Sequence, residues 1–376
     1  MFNLDKEQKK SFEGIFKKLD AKLSKTSVKS FNKLPYTTKD GVHDNWTGDC
    51  IGMWTNGFWP ALMVLMYSVT KKDEYLKTAR NACKLLDEAI LKPEVLNHDV
   101  GFMWNISSGA DFRITADNTQ KNRFLAAANY MMSRYVPDGD FLLAWNMEEA
   151  KGWAIIDCMM NLPVLYRATE LTGDDRYKKI AVRHAEKTKK FHLKEDGSCY
   201  HIVEYNTDNG EFVKSHRGQG MSETSSWTRG QAWGIYGFAL SYKFTKNKEY
   251  LDTAVKIADY YIKNFDKWGY VAPADFCQPQ NPEIFDTTAG VIAACGFLEI
   301  ASYLDDSEAK KYIDAAINII LDTEKRFCNW DENEDSILQY GTEAYIRAVH
   351  IPIIYGDYFF TEAVCRLLGY NIEFIW

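Results

Sequence analysis

The sequence contains no Cys-x-x-Cys pair, no metal-ligand spacing, no Walker loop, no dinucleotide fingerprint and no Gly-x-Ser-x-Gly elbow. Hydrolysis by a serine triad or a bound metal is therefore disfavoured, and no cofactor is expected. No long basic run interrupts a chain of net charge −7, so nucleic acid is not an expected partner. The longest apolar stretch, around Ala61 to Tyr67, is far too short to cross a bilayer, and Met1 to Lys10 has no apolar signal core. The eight cysteines are scattered, several of them in apolar helical stretches such as those of Cys158, Cys295 and Cys365. They read as small core residues in a reducing compartment, and a soluble cytoplasmic protein without membrane contact is expected. Low-complexity segments and interdomain linkers are also missing, so residues 1–376 are expected to form one domain; oligomeric state is not legible.

What is abundant is apolar and aromatic material. Hydrophobic residues make up 46% of the 376, enough for a sizeable core, and aromatics 14%, with 11 Trp and 22 Tyr. A large core accounts for rings of this kind, and so does a surface that stacks on sugars or other flat ligands.

An internal repeat sets the architecture. Thr70 to Tyr75 with Ala79, Thr172 to Tyr177 with Ala181, and Thr245 to Tyr250 with Ala254 share a hydroxyl residue, a polar turn, then Tyr and Ala four apart; Ser307 to Tyr312 with Ala316 is a weaker fourth copy. Each follows an apolar helical run: Trp59 to Val69, Leu162 to Leu171, Trp233 to Phe244, and Ala289 to Leu304. The hydroxyl is expected to cap a second helix, whose Tyr and Ala share a buried face. The unit is a helical hairpin, and stacked hairpins make a solenoid or a closed toroid. The stretches Asp99 to Asp117, Val136 to Trp145 and Ser198 to Ser226 read as loops, where functional residues should gather. His201 to Lys214, alternating around Asn209-Gly210, reads as a β-hairpin. Residues 1 to about 35 predict an amphipathic helix packed outside the main body.

Two aspartates stand in apolar, aromatic company: Asp99 in His98 to Met103, and Asp157 in Trp153 to Asn161. A carboxyl group flanked by Ile, Met and Trp loses hydration, which favours the protonated form that a general acid needs near neutral pH. Either one alone reads as a buried, hydrogen-bonded structural residue. Ser225 to Gly237 is the densest segment. Arg229 and Trp233 share one helical face there, as a pocket for an anionic sugar or as a salt-bridged Arg stacked between helices. Trp54 to Pro60 opens another helix with three aromatics at its mouth. His201 on the hairpin reads as structural, and Gln219-Gly220 after His216-Arg217 lies where a ligand could approach.

Asn45-Trp46, Trp54 to Pro60, His98 to Met103, Ile155 to Pro163, Asp196 to His201, Gln219-Gly220, Trp227 to Trp233, Asp286 to Ala289 and Ile354 to Tyr358 occur in one order. Together they resemble the unsaturated glucuronyl hydrolases, glycoside hydrolase family 88, over most of the chain after about residue 40. The resemblance implies an all-α (α/α)6 barrel with a small β-hairpin insertion. It implies a small oligosaccharide substrate, produced by a polysaccharide lyase from a glycosaminoglycan, that carries a 4,5-unsaturated uronic acid. It also implies hydration of the C4=C5 vinyl ether, with Asp157 as general acid and base and Asp99 as the second essential carboxylate. Trp54, Trp145, His201, Gln219, Arg229 and Trp233 match substrate contacts, and no metal is implied. The chain departs from the family where Ser222-Glu223-Thr224 replaces a pair of aspartates. It departs again at Leu338 to Ala344, which lacks the Ser- and Lys-containing pattern of members that act on sulfated substrates. Unsulfated or differently sulfated substrates are thereby favoured. The related unsaturated rhamnogalacturonyl hydrolases, another (α/α)6 sugar hydrolase, and a helical-repeat scaffold that binds proteins are the competing readings.

Overall fold

The computed structural model describes residues 2–376. Six helices form the more deeply buried set: Phe58–Thr70, the continuous run 100–115, Pro163–Thr172, Thr228–Thr245, Thr287–Ala301 and Ile354–Leu367, with Pro163–Thr172 buried chiefly in its first half. In Thr287–Ala301 every residue is buried. Six others bury one stripe only: Lys6–Lys29, Asp73–Leu85, Asn118–Ser133, Asp175–Phe191, Lys248–Lys263 and Asp306–Phe327. A helix apolar all round belongs inside, and one with a single apolar stripe belongs outside. The two sets alternate in the chain and form concentric rings, an (α/α)6 barrel. Helix Lys6–Lys29 lies in the outer ring, where it packs on Asp73–Leu85 and Ile354–Leu367 and closes the circle. It is no appendage, as the expectation of a helix outside the main body had it: Phe12, Ile15, Leu19 and Leu23 belong to the core.

The repeat marks the turns between rings, and Tyr75, Ala79, Ala181, Tyr250, Ala254 and Ala316 are completely buried. The hydroxyl residue acts differently from the expectation. Thr70, Thr172 and Thr245 end the inner helix rather than cap the outer one, each donating 2.7 Å back to the carbonyl four residues earlier. The next residue, Lys71, Gly173 or Lys246, turns left-handed (φ 60°, 74°, 58°). Asp174 and Asn247 then cap the following helix.

The segment read as a loop over Asp99 to Asp117 is the second inner helix. Val100–Trp104 and Ala110–Thr115 are α-helical and flank a π-helical turn, Asn105–Gly109. Gly101, Ser107, Ser108 and Gly109 give it low helical propensity, and burial within the ring overrides that preference. The hairpin is present as Ile202–Tyr205 and Phe212–His216, but a third strand, Trp153–Ile155, joins it with Ile155 opposite Ile202. Two further two-stranded hairpins, at residues 38–43 and 135–142, line the same connections.

Burial also sets the response to acid. It pushes His43 down to about 4, and His184 and His192 each to about 3. Each imidazole is therefore neutral when folded and takes up a proton near pH 6.5 when unfolded. Stability from these three is complete above pH 6.5 and drains as pH falls toward their folded values. Asp357, buried beneath the backbone N–H groups of Ile337 and Leu338, is pushed up to about 7 and has the opposite sign. Its contribution is complete below the ordinary carboxyl range and is lost as pH rises through 7. Between about pH 4 and 6.5 these three histidines oppose Asp357 and also His98, an imidazole held above its ordinary range by the neighbouring Asp99 carboxylate. The urea midpoint should therefore be lower at pH 5 than at pH 7; an unchanged or higher midpoint at pH 5 would contradict neutral burial of the histidines.

Candidate active site

Two short connections place the two aspartates. Asp157 lies in the 3-10 turn Ile156–Met160, directly after the strand Trp153–Ile155. Pairing of that strand with Ile202–Tyr205, extended by the Ile156 N–H donating 3.0 Å to the His201 carbonyl, sets Asp157 beside His201. Asp99 immediately precedes helix Val100–Trp104. Asn161 ties the two together: its Nδ2 donates to Asp99 Oδ1 (3.2 Å) and to the Asp157 carbonyl (3.3 Å), while its Oδ1 accepts from the Phe102 N–H (2.7 Å). This bridge needs Gly101, because a Cβ there would lie 2.7 Å from the Asn161 backbone.

The aspartates are 7% and 8% exposed, nearly buried yet open to a small ligand. Their apolar neighbours in sequence do not surround the carboxylates. Ile156, Met159 and Met160 belong to the core, and the carboxylates face imidazole and amide groups. His98 donates from Nδ1 to the Ala144 carbonyl (2.8 Å) and turns Nε2 to within 3.1 Å of Asp99 Oδ1. Burial opposes a charge on this imidazole, but the Asp99 carboxylate outweighs it and holds His98 above its ordinary range. His201 accepts at Nδ1 from the Gln219 N–H (3.0 Å), so its neutral tautomer carries the proton on Nε2, 3.6 Å from Asp157 Oδ1. Gly218 permits this approach, having φ 55° and no room for a Cβ beside the imidazole. Asp157 Oδ1 has no hydrogen-bond partner. Buried polar atoms are nearly always paired, and one left over on a side chain that is partly open elsewhere marks a place for a ligand or reacting group.

Aromatic rings frame the pair. Trp145 is half-buried and stands edge-on to His98 at 5.7 Å. Trp54, also half-buried, stacks on Tyr355 (4.9 Å, 25°) and meets Phe102 at 5.4 Å. Gln219 belongs to the site through its backbone, while its side-chain Nε2 donates 2.6 Å to the Glu343 carbonyl.

Two expected contacts lie elsewhere. Trp233 is fully buried beneath Trp54, Phe102 and Phe359, so it underlies the floor of the site. Arg229 is 1% exposed and its fork is committed to the protein. Nη1 pairs with Asp286 and donates to the Thr342 carbonyl (2.7 Å), and Nη2 donates to the Glu343 carbonyl (2.6 Å). Its guanidinium lies between the rings of Trp227 (4.4 Å) and Tyr355 (5.5 Å). Of the two roles open to Arg229, the stacked, salt-bridged one is realised. Sequence reasoning gives no part to His98 or Asn161. Both carry a signal: His98 adjoins Asp99, and Asn161 follows Asp157 by four, one helical turn on the same face. Among the described residues no group of three or more His, Cys, Asp and Glu is placed to hold a metal ion, and no helix is long and apolar enough to cross a membrane.

Comparison with known proteins gives the family and the fold. The profile of Glycosyl Hydrolase Family 88 matches residues 22–241. The unsaturated glucuronyl hydrolase of Bacillus sp. (strain GL1) is 36% identical over 325 residues, 84% of this chain and 86% of the relative. The unsaturated chondroitin disaccharide hydrolase of Streptococcus pyogenes serotype M1 is 31% identical over 326 residues, 83% of this chain and 80% of the relative. The crystal structure of the Bacillus sp. GL1 enzyme, described as responsible for the degradation of glycosaminoglycan, superimposes with a TM-score of 0.87. In that superposition the identity is 31%, over 93% of this chain and 96% of the other.

Proposed function

This chain belongs to Glycosyl Hydrolase Family 88, and on that premise we propose that it removes a 4,5-unsaturated uronic acid from glycosaminoglycan oligosaccharides left by polysaccharide lyases. The observation that carries the assignment of roles is the unpartnered Oδ1 of Asp157 beside the His201 Nε2. A carboxyl group beside an imidazole but without a hydrogen bond to the protein can give a proton and take one back.

The reaction is hydration of a vinyl ether. Asp157 delivers a proton to C4, and positive charge develops at C5 and the ring oxygen, as in other oxocarbenium-like transition states. The resulting carboxylate takes a proton from the water that adds to C5. The C5 hemiketal then opens to a ketone, leaving at C1 a hemiacetal that expels the reducing-side sugar. Asp99, held by His98 and Asn161, orients sugar hydroxyls and keeps a second negative charge near the developing cation. His201 steadies Asp157 once it is ionised. Trp54 and Trp145 offer ring faces to the sugar, and Gln219 fixes the His201 tautomer. Arg229 and Trp233 act one layer below, by holding the residues that touch substrate. Protein and water supply every group these steps need. The cytoplasm is the location we infer, since all eight cysteines are free and five of them are buried.

Isotopes separate this reaction from ordinary glycoside hydrolysis. In heavy-oxygen water the label should enter the uronate-derived keto product at C5, and in deuterated water deuterium should appear at C4. Loss of the vinyl-carboxylate absorbance should accompany turnover. Label at the anomeric carbon alone would reject hydration and leave a conventional glycosidase.

A further inference from the structure

The three-stranded sheet that positions Asp157 has two unlike faces. Ala154, Val203 and Tyr205 point inward and pack with Phe141 in a small separate core. Pairing of Trp153 with Glu204, Glu204 with Lys214, and Ile202 with His216 puts Trp153, Glu204, Lys214 and His216 together on the other face. That face is half open: Glu204 is 29% exposed, His216 18% and Lys214 61%. Trp153 is only partly covered, although an indole is the side chain with most to gain from burial.

The face is continuous with the active site. Trp145, which stands over His98, meets Trp153 edge-on at 6.1 Å, and Trp153 lies against the His216 ring at 4.1 Å. A row of rings thus leads from the catalytic pair onto this face of the sheet. Glu204 accepts from His216 Nε2 (2.7 Å), which fixes the imidazole and leaves Nδ1 as its other polar atom. Lys214, whose Nζ lies 4.0 Å from the Glu204 carboxylate, and the exposed Arg217, whose Nε donates to the Gly220 carbonyl (2.8 Å), stand on either side of His216 in the chain and bring two positive charges to this edge of the sheet.

We propose that Trp153 and His216 form an outer subsite for the reducing-side sugars of a lyase product longer than a disaccharide. Trp153 takes a sugar face, His216 Nδ1 takes a hydroxyl or carboxylate, and Lys214 and Arg217 attract the next uronic acid of an alternating anionic chain. The inference rests on the hydrolase reading above and adds a preference for chain length. In the disaccharide reaction described above, neither side chain touches the reacting atoms.

The test compares kcat/KM on an unsaturated disaccharide and an unsaturated tetrasaccharide from the same polymer. Wild type should favour the tetrasaccharide by about three- to tenfold, the range of one well-placed ring contact, through a lower KM at similar kcat. Trp153→Ala and His216→Ala should each bring that ratio close to one. His216→Ala, on the exposed hairpin, should leave disaccharide kinetics unchanged. Calorimetric titration of the tetrasaccharide into His216→Ala supplies a direct binding readout, and weaker binding than in wild type is expected. Equal kcat/KM on both lengths in wild type would overturn the subsite, as would a loss in both variants that is the same for both lengths. Failure of wild type to turn over the disaccharide would instead overturn the hydrolase reading.

Discussion

Asp157→Asn is expected to fold as wild type does and to lose roughly 10²–10⁴-fold in kcat, the range that a positioned general acid and base contributes. The amide matches the carboxyl in volume, and the surrounding 3-10 turn is held by backbone bonds that the substitution does not touch. What disappears is the proton. An amide can neither protonate C4 nor accept a proton from water at C5, so both halves of the hydration fail together. The loss should fall on kcat with KM little changed, because the rings of Trp54 and Trp145 and the Asp99 cluster remain in place. The measurement is vinyl-carboxylate absorbance loss under saturating substrate, with near-ultraviolet circular dichroism to show native packing. A folded Asp157→Asn protein that keeps most of its turnover would move the proton transfer to another residue.

Arg229→Ala is expected to produce the largest loss of stability, about 3–5 kcal/mol, the usual cost of removing one partner of a buried ion pair. Asp286 is completely buried, and without Arg229 its carboxylate keeps only the Thr288 hydroxyl (2.5 Å) and the backbone N–H groups of Thr288 (3.2 Å) and Thr342 (3.3 Å). The carbonyls of Thr342 and Glu343 lose their guanidinium donors as well. Because the Gln219 side chain hangs on that same Glu343 carbonyl, the damage should reach the His201 tautomer and raise KM. Arg229→Lys keeps the charge but not the fork and should recover only part of the stability. Urea unfolding of both variants supplies the check. An unshifted midpoint for Arg229→Ala would return the residue to direct substrate binding.

Periodicity makes the helical hairpins legible in the amino-acid sequence. Tyr and Ala four apart, repeated after each apolar run, report them because that spacing is local. The second inner helix is hidden, since Gly101, Ser107, Ser108 and Gly109 give a loop-like composition and the burial that overrides it comes from helices distant in the chain. The strand Trp153–Ile155 is hidden for a related reason: three residues carry no measurable alternation, and their partner lies near residue 202. Arg229 illustrates the limit most clearly. Its helical face follows from spacing, but whether its fork meets substrate or protein depends on Asp286, 57 residues away. Asp99 and Asp157 stand out as carboxylates in apolar sequence. Asn161 and His98 make them a unit, and that arrangement exists only once Gly101 has let two backbones meet.

Closure of the outer ring by helix Lys6–Lys29 has a temporal side. One of its partners, Asp73–Leu85, leaves the ribosome soon after it, but Ile354–Leu367 is made much later. At ordinary synthesis rates of about 5–20 residues per second, the wait lasts on the order of tens of seconds. Throughout that time part of the stripe Phe12, Ile15, Leu19 and Leu23 has no permanent cover. Nascent chains of this protein should therefore be clients of a chaperone that shields short apolar helices. The stripe of Lys6–Lys29 therefore gains its full cover only once Ile354–Leu367 has been made.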